Sequence, residues 1–135
     1  MGLGKTVLMD HIAAETERVL GPEHPDTLTA RGNLAGAYGQ AGRIDDAITS
    51  ETQNVKDLER VLGPEHPDTL TARANLAASY QRAGRVAEAV VLLAQVVSDR
   101  QRVLGPRHPA TVSAQGGLEI MNAFVRGRGR VTNGP

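Results

Sequence analysis

The segment GPEHPDTLTAR spans Gly21 to Arg31, recurs unchanged from Gly63 to Arg73, and returns as GPRHPATVSAQ from Gly105 to Gln115, 42 residues apart each time. Each copy follows an Arg-Val-Leu that begins at Arg18, Arg60 or Arg102. Aligning residues 21–62 with 63–104 leaves 25 identities in 42 positions. A fixed period of this length marks an array whose units cannot bury their apolar faces alone and must stack. The period divides the chain into residues 1–20, a second helix without its first; 21–62 and 63–104, two whole units; 105–124, the first helix of a degenerate third unit; and 125–135, an Arg/Gly tail.

Within each period the punctuation is helical. Gly21-Pro22 stops one helix, because glycine supplies a left-handed terminus and proline cannot continue it. Pro25 suits a first helical position, and Asp26 complements the dipole of the new helix. From Pro25 to about Ala41 the inward face is Ala30, Leu34, Tyr38 and Ala41. Gly42-Arg43 turns the chain, and Ile44–Leu62 follows with Ala47, Ile48, Val55, Leu58 and Leu62 inward. The next period repeats this over Pro67–Ala83 and Val86–Leu104, with Ala72, Leu76, Tyr80 and Ala83 inward on its first helix. A third first-helix begins at Pro109 but degrades, with Gly117, Glu119 and Asn122 where Asn75, Ala77 and Tyr80 stood. After Phe124 the sequence VRGRGRVTNGP is poor in apolar residues and is expected to leave regular structure.

These residues carry a resemblance. The pattern N-L-A-x-x-Y (Asn33, Leu34, Ala35, Tyr38; Asn75, Leu76, Ala77, Tyr80), then A-G-R, then Ala47 or Ala89, resembles the tetratricopeptide repeat. The 42-residue period and the LGPEHP connector look like the kinesin-light-chain type of that repeat, common in bacterial multidomain regulators. The resemblance implies an all-α, right-handed superhelical solenoid of helix–turn–helix units, two complete and flanked by single helices. It also implies a scaffold for binding proteins or peptides.

Composition narrows the function classes. Formal net charge is zero, so nothing draws the whole chain to nucleic acid or anionic membrane. The balance is uneven: residues 1–99 carry 9 basic and 14 acidic side chains, and 100–135 carry 6 Arg against Glu119. The tail arginines Arg126, Arg128 and Arg130 lack aromatic interleaving and read as solubilising. No cysteine is present, which removes disulfides and thiolate metal sites and fits a cytoplasmic location. No run approaches a membrane span.

The outward face of each first helix is the expected partner-binding groove. In the first unit it carries Thr29, Asn33 and Gln40 among Gly32, Gly36 and Gly39; in the second it carries Thr71, Asn75, Gln81 and Arg82. Small residues admit close approach, while Asn and Gln can pair with a peptide backbone. Arg31 and Arg73 lie at the edge of the inward face and are read as structural ion pairs, with Glu15 or Glu17 for Arg31 and Asp57 or Glu59 for Arg73. His24, His66 and His108 recur at the period, too far apart in stacked units, about 10 Å, to share one zinc, and are read as helping the connector enter the helix.

The opening MGLGKT resembles the end of a nucleotide-binding P-loop, with Gly4, Lys5 and Thr6 as its phosphate and magnesium residues. The first glycine of that pattern is missing, and a ragged helix start is the favoured reading. The expectation is therefore a protein or peptide partner, no cofactor, no metal and no catalysis. Two alternatives stand beside it: a piece of a P-loop regulatory NTPase whose repeats sense a ligand, and a module that self-associates through its terminal helices.

Overall fold

The computed structural model describes residues 2–132, with side chains described for residues 4–127. Six helices follow in order: α1 (Gly2–Leu20), α2 (Pro25–Gln40), α3 (Ile44–Leu62), α4 (Pro67–Arg82), α5 (Val86–Leu104) and α6 (Pro109–Thr132). Each helix packs on its neighbours in chain order, from α1 on α2 through to α5 on α6. This is an all-α repeat array.

The connectors explain why the helices begin where they do. His24, His66 and His108 each turn a ring nitrogen onto the new helix: Nδ1 accepts from the backbone N–H of Asp26, Asp68 and Ala110 at 3.0, 3.1 and 3.0 Å. That satisfies one of the orphan donors of a helix start, and Pro at the next position loses nothing by lacking its own N–H. The preceding helices end on Gly63 and Gly105 with φ of 97° and 94°, a region costly for a side chain with a Cβ. Thr27 adds a tie not foreseen from the sequence: its hydroxyl, fully buried, donates to the Gly21 carbonyl at 2.7 Å. The start of α2 is thereby fastened to the end of α1.

Alanine sets the spacing inside each pair. Ala77 and Ala89 are both 0% exposed within one cluster that includes Leu93, Val96 and Val97 of α5 and Ala114 and Met121 of α6. Ala35 and Ala47 stand one period earlier and are as deeply buried. Smaller clusters join α1 to α2 through Ala13, Ala30 and Leu34, and α3 to α4 through Ile48, Val55 and Leu76. Leu28 and Leu70, left off the expected inward face, are among the most buried leucines. Tyr38 and Tyr80 are half-buried, with the guanidinium groups of Arg43 and Arg85 stacked 4.7 and 4.6 Å from the ring centres.

Arg31 and Arg73 are the expected ion pairs, with wider reach. Arg31 bonds Glu17 of α1 at 2.6 Å and Asp57 of α3 at 2.5 Å. Arg73 pairs with Glu59 of α3 and with Asp99 of α5 at 3.2 Å. One guanidinium thus ties three consecutive helices.

The expectation of an unstructured stretch after Phe124 is corrected. Helix α6 continues through Arg126 to Thr132, and only residues 133–135 of that stretch lie outside the described residues. Gly127 and Gly129 each weaken a helix by about 1 kcal/mol, but extending a formed helix needs no new nucleus. No proline interrupts the stretch before Pro135.

Glycines in α2 give a direct test of this packing. A Cβ built at Gly36 meets nothing within 4 Å, whereas one at Gly39 comes within 3.1 Å of the Arg82 guanidinium. Gly36→Ala is expected to stabilise the protein by about 0.5–1 kcal/mol, raising its melting temperature by a few degrees. Gly39→Ala is expected to gain less, because Arg82 must move. Thermal denaturation of the two variants side by side checks the ordering.

Candidate partner-binding groove

Helices α2 and α4 flank α3 in the array, one on either side of it. Between them lies a notch of about 250 Å³. Its walls are the first halves of α2 and α4: Thr29 and Gly32 on one side, Thr71 and Asn75 on the other. Its floor is the second half of α3, with Leu58 and Leu62. Thr29, Thr71 and Asn75, three of the expected groove residues, therefore share one cavity.

The remaining expected residues lie elsewhere. Asn33 and Gln81 are exposed and do not line this notch. Gln40 accepts a hydrogen bond from the Lys5 ammonium at 2.8 Å, joining the end of α2 to α1. Arg82 donates to the Gly39 carbonyl at 3.0 Å, clasping α4 to the end of α2. Part of its hydrogen-bonding capacity is thus spent within the fold.

Gly4, Lys5 and Thr6, the residues of the P-loop resemblance, are helical. All three lie within helix α1, where Thr6 is buried with its hydroxyl 3.4 Å from the Ala37 carbonyl. Among the described residues no group of three His, Cys, Asp or Glu is placed to hold a metal ion. No helix of the described residues is long and apolar enough to cross a membrane.

Two polar residues of α3 were missed from the sequence. Asn54 lies against the notch, is 8% exposed, and its Oδ1 accepts from no group among the described residues. The period held a signal for it: the positions 42 residues either side are Ile12 and Val96, so Asn54 places an amide where the template is apolar. Glu51 is the second, standing where α5 has the buried Leu93. It accepts from the Ser79 hydroxyl at 2.5 Å.

Burial pushes the Glu51 carboxyl above its ordinary value of 4.5, against the opposing pull of the Ser79 hydrogen bond and the Arg82 charge. A carboxyl whose pKa rises on folding favours the protonated native state. Its contribution to stability is complete below about pH 4.5 and is lost as pH climbs through the raised value. Glu51→Gln, which keeps an acceptor for Ser79, is therefore expected to stabilise the protein at pH 7 by less than about 1 kcal/mol. The gain should vanish below pH 4, as followed by urea denaturation at both pH values.

A tetratricopeptide-repeat family model matches residues 27–68 and again 69–110. A curated Arabidopsis thaliana protein, Protein KINESIN LIGHT CHAIN-RELATED 2, is 59% identical over 32 residues, which is 24% of this chain and 5% of that protein. A solved structure of a Podosopora anserina putative kinesin light chain with nearly identical TPR-like repeats superposes with a TM-score of 0.79 at 34% identity. It covers 86% of this chain, and the chain spans 55% of it. BtubC (BKLC) from P. vanneervenii shares the fold at a TM-score of 0.70 and 19% identity, over 96% of this chain and 57% of its own.

Proposed function

This chain belongs to the tetratricopeptide-repeat family, and we propose that it is a non-catalytic module that binds an extended protein segment along the concave face formed by α2, α4 and α6. Arrays of this family mediate protein–protein interaction. The observation that carries the reading is the notch between α2 and α4, where Thr29, Thr71 and Asn75 meet over an apolar floor. A side chain entering there buries its stem against Leu58 and Leu62, while Asn75 offers a donor and an acceptor to the backbone of the bound segment.

Peptides selected against the 135-residue chain from a random displayed library are the means of testing this. Enriched peptides are expected to bind Thr71→Ala and Asn75→Ala about three- to tenfold more weakly, the scale of one net hydrogen bond. The melting temperature should stay unchanged in Asn75→Ala, whose side chain is exposed, and fall slightly in Thr71→Ala, whose hydroxyl lies 3.4 Å from the Arg100 guanidinium. Selected peptides that bind both variants as well as the parent would move the binding surface off this face.

A second reading, self-association through the end helices, is favoured by one comparison within the array. Ile12 of α1 is 40% exposed where its counterpart Val96 is 0%, and Val112 of α6 is 56% exposed where Leu70 is 0%. In this chain those side chains are the apolar surface that a neighbouring helix covers elsewhere. Light scattering of the chain at high micromolar concentration is expected to give a mass above the monomer, reduced by Ile12→Lys. A monomeric mass across that range removes this reading.

A further inference from the structure

The junction one period along from the notch is already occupied. There Arg100 of α5 lies between α4 and α6, only 8% exposed, with no carboxylate partner among the described residues. Its Nη1 donates to the Ala110 carbonyl at 3.1 Å and its Nη2 lies 3.4 Å from the Thr71 hydroxyl. Burial alone pushes its pKa down. The fold thus seats a guanidinium between two successive first-helices, with each arm on a different helix.

Counting back 42 residues places the same acceptors around the notch: Thr71 becomes Thr29, and Ala110 becomes Asp68. Both line the cavity. The guanidinium does not recur, because the position of Arg100 is taken by Leu58. Two acceptors are added that the filled junction lacks. Val96 becomes Asn54, whose buried Oδ1 is unmatched, and Ala110 becomes Asp68, whose carboxylate pairs with no cation among the described residues.

We propose that the notch between α2 and α4 is a receptor for an arginine side chain of the bound partner. The guanidinium enters where Leu58 falls short, reaches the Thr29 hydroxyl and the Asp68 backbone carbonyl as Arg100 reaches their counterparts, and supplies Asn54 with its missing donor. Asp68 balances the charge, which nothing does for Arg100. Arginine is favoured over lysine because the acceptors lie on different helices, and a planar fork of five donors spans them where one ammonium cannot. The proposal rests on the reading of this face as the binding surface and names the side chain it selects.

The test needs no partner. Titrating the ¹⁵N-labelled 135-residue chain with N-acetyl-arginine amide is expected to give saturable shifts at the Asn54 side-chain amide and at the Thr29 and Asp68 backbone amides. N-acetyl-lysine amide and N-acetyl-norleucine amide should shift them far less. Leu58→Arg, which gives the notch its own plug as Arg100 does, is expected to remain folded and abolish the response. Asn54→Val, which installs the residue found at position 96, is expected to weaken binding about tenfold without lowering the melting temperature.

Absence of a saturable response to the arginine probe overturns the proposal. So does an equal response to lysine or norleucine, or a response that survives Leu58→Arg in a folded chain. Selected peptides that depend on Thr71 and Asn75 but carry no arginine would overturn it too, while leaving the broader reading of this face in place.

Discussion

The array depends on how closely alanine lets two helices approach. Ala77 meets α5 beside Ala89, and Ala35 and Ala47 hold the same places one period earlier. With no atom beyond Cβ at these seams, helix axes can reach the short end of the usual 8–10 Å range. The apolar area gained per pair is modest, because aromatic residues make up only 2% of the chain. Stability must therefore accumulate from neighbour to neighbour, and among the described residues the apolar packing includes separate clusters along the array instead of one central core. Packing spent on the helix before and the helix after leaves the outward face of α2 and α4 free to vary.

Charge reinforces the same succession. Arg31 and Arg73 each bridge backward and forward, and the side chain of Asp57 is almost wholly buried beneath its partners Arg31, Gln53 and Arg60. Removing one member of such a set strands a buried charge, which costs more than the intact pair contributes. The third period breaks the pattern: Gln115 replaces the arginine and turns to Glu119 on its own helix. Electrostatic ties between successive helices thus thin out towards α6, where Arg100, reaching the Ala110 carbonyl, takes over the joining of α5 to α6.

The fold was legible because the period repeats its own punctuation. Pro25, Pro67 and Pro109 open helices in the structure, and the histidines before them cap those helices. Glu17 and Glu59 were readable as arginine partners from the helix just before; Asp57 as a partner of Arg31 was not, because it lies 26 residues ahead in the next helix. The groove divides the same way. Thr29, Thr71 and Asn75 share a face of their own helices, which a helical wheel shows. Asn54 and Leu58 belong to a different helix that forms the floor, and a wheel is blind to that. The contacts of Gln40 and Arg82 within the fold were not legible for another reason: a long side chain near a helix end can reach a neighbour, and spacing does not say whether it will.

Near-identical periods let each departure be weighed against its own template. At the position shared by Ile12, Asn54 and Val96, only the middle copy places an amide, and a buried acceptor without a donor costs about 1–3 kcal/mol. At the position shared by Met9, Glu51 and Leu93, only the middle copy places a carboxylate. Both costs fall on α3, the helix beneath the notch, while α5 is apolar at these two positions and lends Arg100 to its own junction. The array is therefore uneven in a way its sequence period conceals: at one junction Arg100 bonds across to both neighbouring first helices, and at the other no guanidinium stands and the Asn54 Oδ1 is left without a donor. A ligand that matched them would stabilise α3 in proportion to its occupancy, since anything that binds only the native state raises its stability. In such a molecule affinity at the groove and stability of the array are one quantity measured in two ways.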